Sequence, residues 1–295
     1  MHTSIAGGLP ASFERARALG CSAFQIFSHN PRGWALTRRA EGEIAAFRKM
    51  AGDFDISPVV IHTSYLINMA SGAPALWRRS VDMVAEEMEI ADSIGARYVV
   101  LHTGSASGDE PAGARKRAAA GLAEVAGRGK WRAGLLLENT AGERGDIASK
   151  IGEMADIVDR VPSGLIAGIC LDTCHAFAAG YDIASRDGLA ILAGEIRKHL
   201  GKRSLRLIHL NDSKGVLSSG LDRHEHIGEG RIGIEGFKRF LGEPFFSGVP
   251  LILETPKKTE EDDPRNLRVV RGLLEETASS DDSTSGVVKS RHDAL

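Results

Sequence analysis

The sequence is poor in cysteine, has no long apolar run and carries almost no net charge, and each shortage narrows the class. Three cysteines occur, Cys21, Cys170 and Cys174. An odd, small number without a secretory leader reads as reduced thiols in a cytoplasmic protein, not as a disulfide framework. No apolar stretch reaches the ~18 residues of a transmembrane helix, so no membrane partner is expected. The opening MHTSIAGGLP has neither the basic start nor the apolar stretch of a signal peptide. Lys and Arg number 37 against 39 Asp and Glu, so bulk charge gives no support for nucleic-acid binding. Contact with DNA would need a local basic patch, or metal ions whose charge a residue count omits.

What is present is ordinary for a soluble enzyme: 295 residues, 42% hydrophobic and 26% charged. Length alone suggests about two domains, but α/β barrels commonly reach ~250 residues as one. Short, near-continuous apolar runs occur at Ala23–Phe27, Pro58–Ile61, Tyr98–Leu101, Gly134–Leu137, Leu165–Leu171, Leu205–Ile208 and Val249–Leu253. That is how parallel strands covered on both faces read. Between them lie amphipathic helical segments, among them Ser80–Ile94, Ile151–Val161 and Leu189–Leu200. A β-then-α unit repeated about every 35–45 residues points to a doubly wound sheet or a closed barrel. The absence of a linker before about residue 275 favours a single-domain (β/α)8 TIM barrel over residues 1–275. Its eighth strand can come only from Met1–Ile5, and the polar stretch 276–295 reads as a disordered tail.

The chemistry sits where those runs end. VVIHTS ends in His62, YVVLHTGS in His102 and LLLENTAG in Glu138. ICLDTCH presents Asp172 and His175, LRLIHLND presents His209, and LILETP presents Glu254. The segment LDRHEHIGEG adds Asp222 and His224. The carboxyl-end rim is where this architecture builds its sites. Taken singly, a histidine there is more often a hydrogen-bonded rim residue, and an Asp or Glu a helix cap. Six successive strands ending this way are hard to explain by capping, because crowded carboxylates and imidazoles need a compensating charge. Imidazole nitrogen with carboxylate oxygen suits zinc, and could also hold manganese or iron. Two metals sharing a carboxylate would account for most of the nine, and three for all. Cys170 and Cys174 have no zinc-finger spacing and read as packing residues. His29, His199, His226 and His292 read as surface residues, and His2 as an outer support of the site.

The segments HTSYLIN (62–68), LHTGS (101–105), LENTAG (137–142), LDTCHAFAAGYD (171–182), HLNDSK (209–214), DRHEHIGEGRIG (222–233) and LILETP (251–256) resemble those of endonuclease IV. This is the zinc-dependent apurinic/apyrimidinic endonuclease family, and the likeness runs from His2 to about Leu274. The resemblance implies three zinc ions per chain. His62 and His102 would hold one, sharing Glu138 with a second that Asp172, His209 and Glu254 complete. His175, Asp222 and His224 would hold the third, and catalysis falls to Glu138 and Glu254. The family incises DNA 5′ to an abasic site, leaving a 3′-hydroxyl, and removes blocking groups from 3′ ends. Clustered metals suit that chemistry, because an anionic phosphodiester repels hydroxide and needs charge neutralisation.

By the same resemblance Tyr65 and Leu66 form a wedge that enters duplex DNA at the lesion, joined by Arg32 in HNPRGW. Apolar wedges offset the cost of unstacking. Lys214, Arg223, Arg231, Lys257 and Lys258 would supply a local phosphate-binding patch. The expected partner is double-stranded DNA with abasic sites or blocked 3′ ends, met by a monomer. Family members carry several more residues before His2, so the expectation is a true start upstream of Met1 or an alternative initiation codon. Two other readings compete: a metal-dependent sugar isomerase or epimerase on a similar barrel, and a non-catalytic lesion-binding protein.

Overall fold

The structure, a computed structural model, describes residues 1–36, 39–143 and 145–288. Parallel strands follow one another in chain order: β1 (Phe24–Phe27), β2 (Val59–His62), β3 (Tyr98–His102), β4 (Gly134–Glu138), β5 (Ile166–Asp172) and β6 (Leu205–His209). A short antiparallel ribbon of β7 (Asp212–Ser213) and β8 (His224–Glu225) precedes the seventh parallel strand, β9 (Leu251–Ile252). The N-terminus closes the remaining gap. His2 N–H donates to Leu253 O at 2.9 Å, Thr3 N–H to Gln25 O at 2.7 Å, and Gln25 N–H to Met1 O at 3.0 Å. Met1–Ile5 therefore does act as the eighth stave, reduced to a single parallel bridge between His2 and Gln25.

The helices α1 (Leu9–Ala18), α2 (Glu41–Asp53), α3 (Pro74–Ile94), α4 (Pro111–Arg128) and α5 (Ile151–Val158) alternate with these strands. They are followed by α6 (Thr173–Ala178), α7 (Arg186–His199), α8 (Gly233–Leu241) and α9 (Asp262–Val288). Local signals set their ends. α3 opens on Pro74, whose missing N–H is harmless in a first turn, and closes on Gly95 at φ 77. α4 opens on Pro111 with the Glu110 carboxylate accepting from Ala112 and Gly113 N–H. The expected disorder from residue 276 meets helical backbone through Val288. Buried Val270 and Leu273 anchor α9, and no Pro or Gly interrupts the stretch after them until Gly286. Residues 289–295 lie outside the described residues. No helix among the described residues is long and apolar enough to cross a membrane.

Two cores follow from strand periodicity. Ala23, Val60, Val100, Leu136, Cys170, Leu207 and Ile252 form one cluster that fills the barrel, while their strand neighbours pack outward against the helices. Side chains two residues apart on a strand share a face. Stepping two residues on from each interior residue gives Gln25, His62, His102, Glu138, Asp172, His209 and Glu254. The barrel thus places these seven as the layer above its apolar plug, at the carboxyl ends of the strands.

Candidate metal centre

Glu138 is the hub of that layer. It is 0% exposed, with Oε2 at 2.9 Å from His102 Nε2 and 3.2 Å from His62 Nε2. Its Oε1 lies 2.9 Å from His209 Nδ1 and 3.5 Å from His175 Nδ1. Glu254 Oε2 approaches His209 Nδ1 at 3.2 Å. Among the described residues, three thiol-free groups have donor atoms that lie within 4.8 Å of one another: His62, His102 and Glu138; Glu138, Asp172, His209 and Glu254; His175, Asp222 and His224; Cys170 and Cys174 each join two of these residues in a further group. All nine sequence-selected residues are brought together, and Glu138 belongs to two of the three thiol-free groups.

The second ring nitrogen of four histidines is tied to an acceptor. His62 Nδ1 faces Thr63 O at 2.8 Å, His175 Nδ1 faces Asn139 O at 2.9 Å, and His224 Nδ1 faces Glu254 O at 3.0 Å. His209 Nε2 faces the Gln25 side-chain oxygen at 2.9 Å. A carbonyl cannot donate, so each tie fixes the N–H there and turns the other nitrogen's lone pair inward. His175 Nε2 and His224 Nε2 are buried without a well-directed hydrogen bond. Buried polar atoms left unpaired are costly. Lone pairs aimed at carboxylates are repulsive unless a proton or a cation lies between them, so the donor set fits metal ions.

The electrostatics point the same way. Burial would raise the Glu138 carboxyl, but His102 and His209 hold it well below the usual range. Glu254 is likewise held low against burial, chiefly by His209 and the hydrogen bond with His2. Burial acts to lower His175, yet Asp172, then Asp222 and Glu138, raise it well above the ordinary value. His209 is raised in the same way against burial, through Cys170, Glu138 and Glu254. Against burial, His175 first and then His224 push the Asp222 carboxyl down to about 2. The negative potential that loads protons onto these imidazoles would equally draw in metal cations.

Several supporting residues escaped sequence reasoning. Gln25 Nε2 donates to Glu254 Oε1 at 2.6 Å while its oxygen holds His209, so one amide orients two candidate ligands. The signal was available: Gln25 is a lone polar residue inside the apolar run AFQIF. His2 Nδ1 stands 3.1 Å from Glu254 Oε1. Asn139 brackets the Asp172 backbone, and Asn211 Nδ2 donates to Asp172 Oδ2 at 2.7 Å. Asp172 also caps α6, its Oδ1 accepting from His175 N–H at 2.8 Å. Replacing Gln25 by Leu is expected to weaken metal retention about 10–100-fold without unfolding the barrel, as for other outer supports of metal ligands. Competition with a chromophoric chelator measures it.

The third group depends on a loop, and Asp212 holds that loop. Its buried carboxylate accepts from Gly228, Gly230, Ile232 and Gly233 N–H at 2.9, 2.9, 3.0 and 3.3 Å. This explains the middle glycine of GEGRIG: a Cβ on Gly230 would stand 2.4 Å from Asp212 Oδ1. Asp212→Ala leaves several donors unpaired and is expected to cost about 2–4 kcal/mol in denaturant unfolding.

Tyr65 is 64% exposed at the mouth, its ring edge-on to Phe27 at 5.2 Å, with Leu66 partly buried beside it and Arg32 exposed on the adjacent loop. A cleft of about 520 Å³ opens there, lined by His62, Tyr65, His102, Arg223, Glu254 and Lys257 among others. Lys214 leans toward Glu225 at 3.7 Å and Lys257 pairs with Asp263 at 2.6 Å, whereas Arg231 and Lys258 are exposed. Two histidines expected at the surface are buried. His29 faces Ser28 Oγ at 2.8 Å, and His226 faces Asn266 of α9 at 3.0 Å. Glu87 of α3 also lies 3.9 Å from His29, so both histidines are covered by helices distant in sequence. His199 is exposed, and His292 lies outside the described residues. Cys170 and Cys174 are buried free thiols, and burial pushes Cys170 up to about 12.

The family described as "Xylose isomerase-like TIM barrel" matches residues 13–275. A probable endonuclease 4 of Halothermothrix orenii is 42% identical over 261 residues, spanning 88% of this chain and 94% of that protein. The crystal structure of endonuclease IV from Thermus thermophilus superposes with a TM-score of 0.82 at 40% identity, covering 94% of this chain and 98% of that one. A D-tagatose 3-epimerase-like protein shares the fold alone, with a TM-score of 0.71 at 20% identity over 95% and 98% of the two chains. The TIM barrel, the strand-end residues and the near-full-length likeness agree: the chain belongs to the endonuclease IV family.

Proposed function

We propose that the protein is a DNA repair endonuclease that hydrolyses the phosphodiester 5′ to an abasic site, leaves a 3′-hydroxyl and trims blocked 3′ ends. The observation that carries this reading is the set of three donor groups, two of them joined through Glu138. His62, His102 and Glu138 would hold one zinc. Glu138 with Asp172, His209 and Glu254 would hold a second, and His175, Asp222 and His224 a third. Nitrogen and oxygen donors also admit Mn2+ or Fe at part of the cluster. When bound, such ions supply Lewis acidity toward the phosphodiester and lower the pKa of water toward neutrality.

The chain's own groups do the rest. Thr63 O, Asn139 O, Glu254 O and Gln25 keep four imidazoles in the ligating tautomer. Glu138 and Glu254, the carboxylates assigned to catalysis, keep the cluster's negative charge at the barrel axis. Tyr65 and Leu66, with Arg32, would enter the duplex at the lesion, and Arg223 and Lys257 at the cleft would meet its phosphates. The partner would be double-stranded DNA in the cytoplasm, bound by a monomer. A sugar epimerase needs fewer metals and gives Tyr65 no task. The deciding experiment uses a duplex with one tetrahydrofuran abasic analogue and no added magnesium. A single cut 5′ to the analogue, with a 3′ end that a polymerase extends, is expected; an intact duplex with fully metallated protein rejects the reading.

A further inference from the structure

α3 carries a carboxylate that takes no part in the metal centre. Glu87 is 0% exposed, and burial pushes its carboxyl up to about 7. The His29 imidazole, 3.9 Å away, is itself kept below its ordinary pKa by burial. An acidic group buried without a strong cation against it is costly to the fold, so its contacts ask for a function. Glu87 Oε1 accepts from Ser64 N–H at 3.0 Å, and Oε2 accepts from Ser28 Oγ at 3.2 Å. Ser28 opens the loop that carries Arg32, and Ser64 opens the loop that carries Tyr65 and Leu66. One carboxylate therefore takes a donor from each loop.

The two loops also touch directly. Ser64 Oγ donates to Pro31 O at 2.8 Å, and Tyr65 N–H donates to the same oxygen at 3.1 Å. Further along α3, Ser80 Oγ accepts from Asn68 N–H at 2.9 Å, and the Arg79 guanidinium lies 4.5 Å from the Trp34 ring centroid. The helix is a shared platform for both segments, with Glu87 and Ser80 both fully buried on it.

We propose that Glu87 is a positioning residue that locks the Arg32 loop to the Tyr65–Leu66 loop, so that the three side chains meet a duplex as one unit. The inference rests on the endonuclease reading above. An amide at this position can still accept from Ser64 N–H and donate to Ser28 Oγ, whereas a methyl group can do neither.

The test compares the zinc-loaded wild type with Glu87→Ala, Glu87→Gln, Ser28→Ala, Tyr65→Ala and the Glu87→Ala/Tyr65→Ala pair. Each is assayed on the abasic-analogue duplex and on bis(p-nitrophenyl) phosphate, which needs the metal centre but no wedge. Glu87→Ala is expected to raise the duplex KM about tenfold, with small-diester hydrolysis and zinc content within about twofold of wild type. Glu87→Gln should restore the KM to within about threefold, and Ser28→Ala should give the same selective loss in smaller measure. On the Tyr65→Ala background, Glu87→Ala should add less than about threefold, because both act through one element. An unchanged duplex KM in Glu87→Ala and Ser28→Ala, a parallel fall on both substrates, or full additivity with Tyr65→Ala overturns the inference. A misfolded Glu87→Ala leaves Ser28→Ala and Glu87→Gln to decide it by the same criteria. A wild type that leaves the duplex intact overturns the endonuclease reading itself, and this inference with it.

Discussion

Glu138→Gln is expected to lower kcat on an abasic duplex by on the order of 10³-fold or more, with a loss of bound metal. Outer supports of metal ligands already contribute about 10–100-fold, and Glu138 stands inside the site, not behind it. Its two oxygens divide the work, Oε2 toward His62 and His102 and Oε1 toward His209. An amide offers one neutral oxygen and an N–H2 that cannot ligate, so it cannot serve both groups. The substitution is nearly isosteric and the residue is fully buried, so packing is preserved and the loss is chemical. Steady-state incision kinetics alongside metal analysis separate the two. Activity within tenfold of wild type would remove Glu138 from its bridging place.

Stripping the metals with a chelator should lower the Tm by about 10 °C or more, and the deficit should widen as pH rises. Ions held at ~1,000 times their dissociation constant stabilise by about 4 kcal/mol for one site. A chain of this size moves about 2–4 °C per kcal/mol. Without metals, His175 and His209 face the carboxylates directly, and their pKa values lie well above the ordinary value. A raised folded pKa gives stability that is fully present below about 6.5 and is lost as pH climbs through the folded value. Glu138 and Glu254 are held low, so their share is present above about 4.3 and lost only on strong acidification. The stripped protein should therefore be most stable from about pH 4.5 to 6.5 and weaken above it. Metal binding instead needs neutral imidazoles and tightens as pH rises. Scanning fluorimetry from pH 6 to 9, with and without metal, reads both curves. A stripped protein more stable at pH 8.5 than at pH 6.5 would contradict the charge assignment.

The barrel was legible because its signal is local. Strand runs ending in His62, His102, Glu138, Asp172, His209 and Glu254 carry their own period and rim position, and the arithmetic of two that places them needs no tertiary knowledge. Gln25 obeys the same arithmetic and could have been added to the layer from Ala23. Even the shortened first strand at Met1–Ile5 could be anticipated, since closure demands an eighth stave.

What sequence left unread depends on contacts between distant segments. Glu87 is a lone carboxylate on the largely apolar buried face of α3, and its two partners, Ser28 and Ser64, come from loops far away in the chain. His226 owes its burial to Asn266, 40 residues later. The glycines of GEGRIG are recognisable as a motif, but the reason for Gly230 is the Asp212 carboxylate, which only the folded loop brings into its path. The backbone of α9 runs on through residues 276–288, a continuation from its buried anchors Val270 and Leu273 that Ser and Asp content alone does not signal.

Counting the ions tests most directly whether the nine side chains hold three metals as one cluster. Zinc-loaded protein, desalted and measured by native mass spectrometry, should carry three ions per chain. His175→Ala should reduce the count to two while leaving the His62, His102 and Glu138 group filled. A wild type that saturates at one ion per chain, or a His175→Ala variant that still holds three, would contradict it.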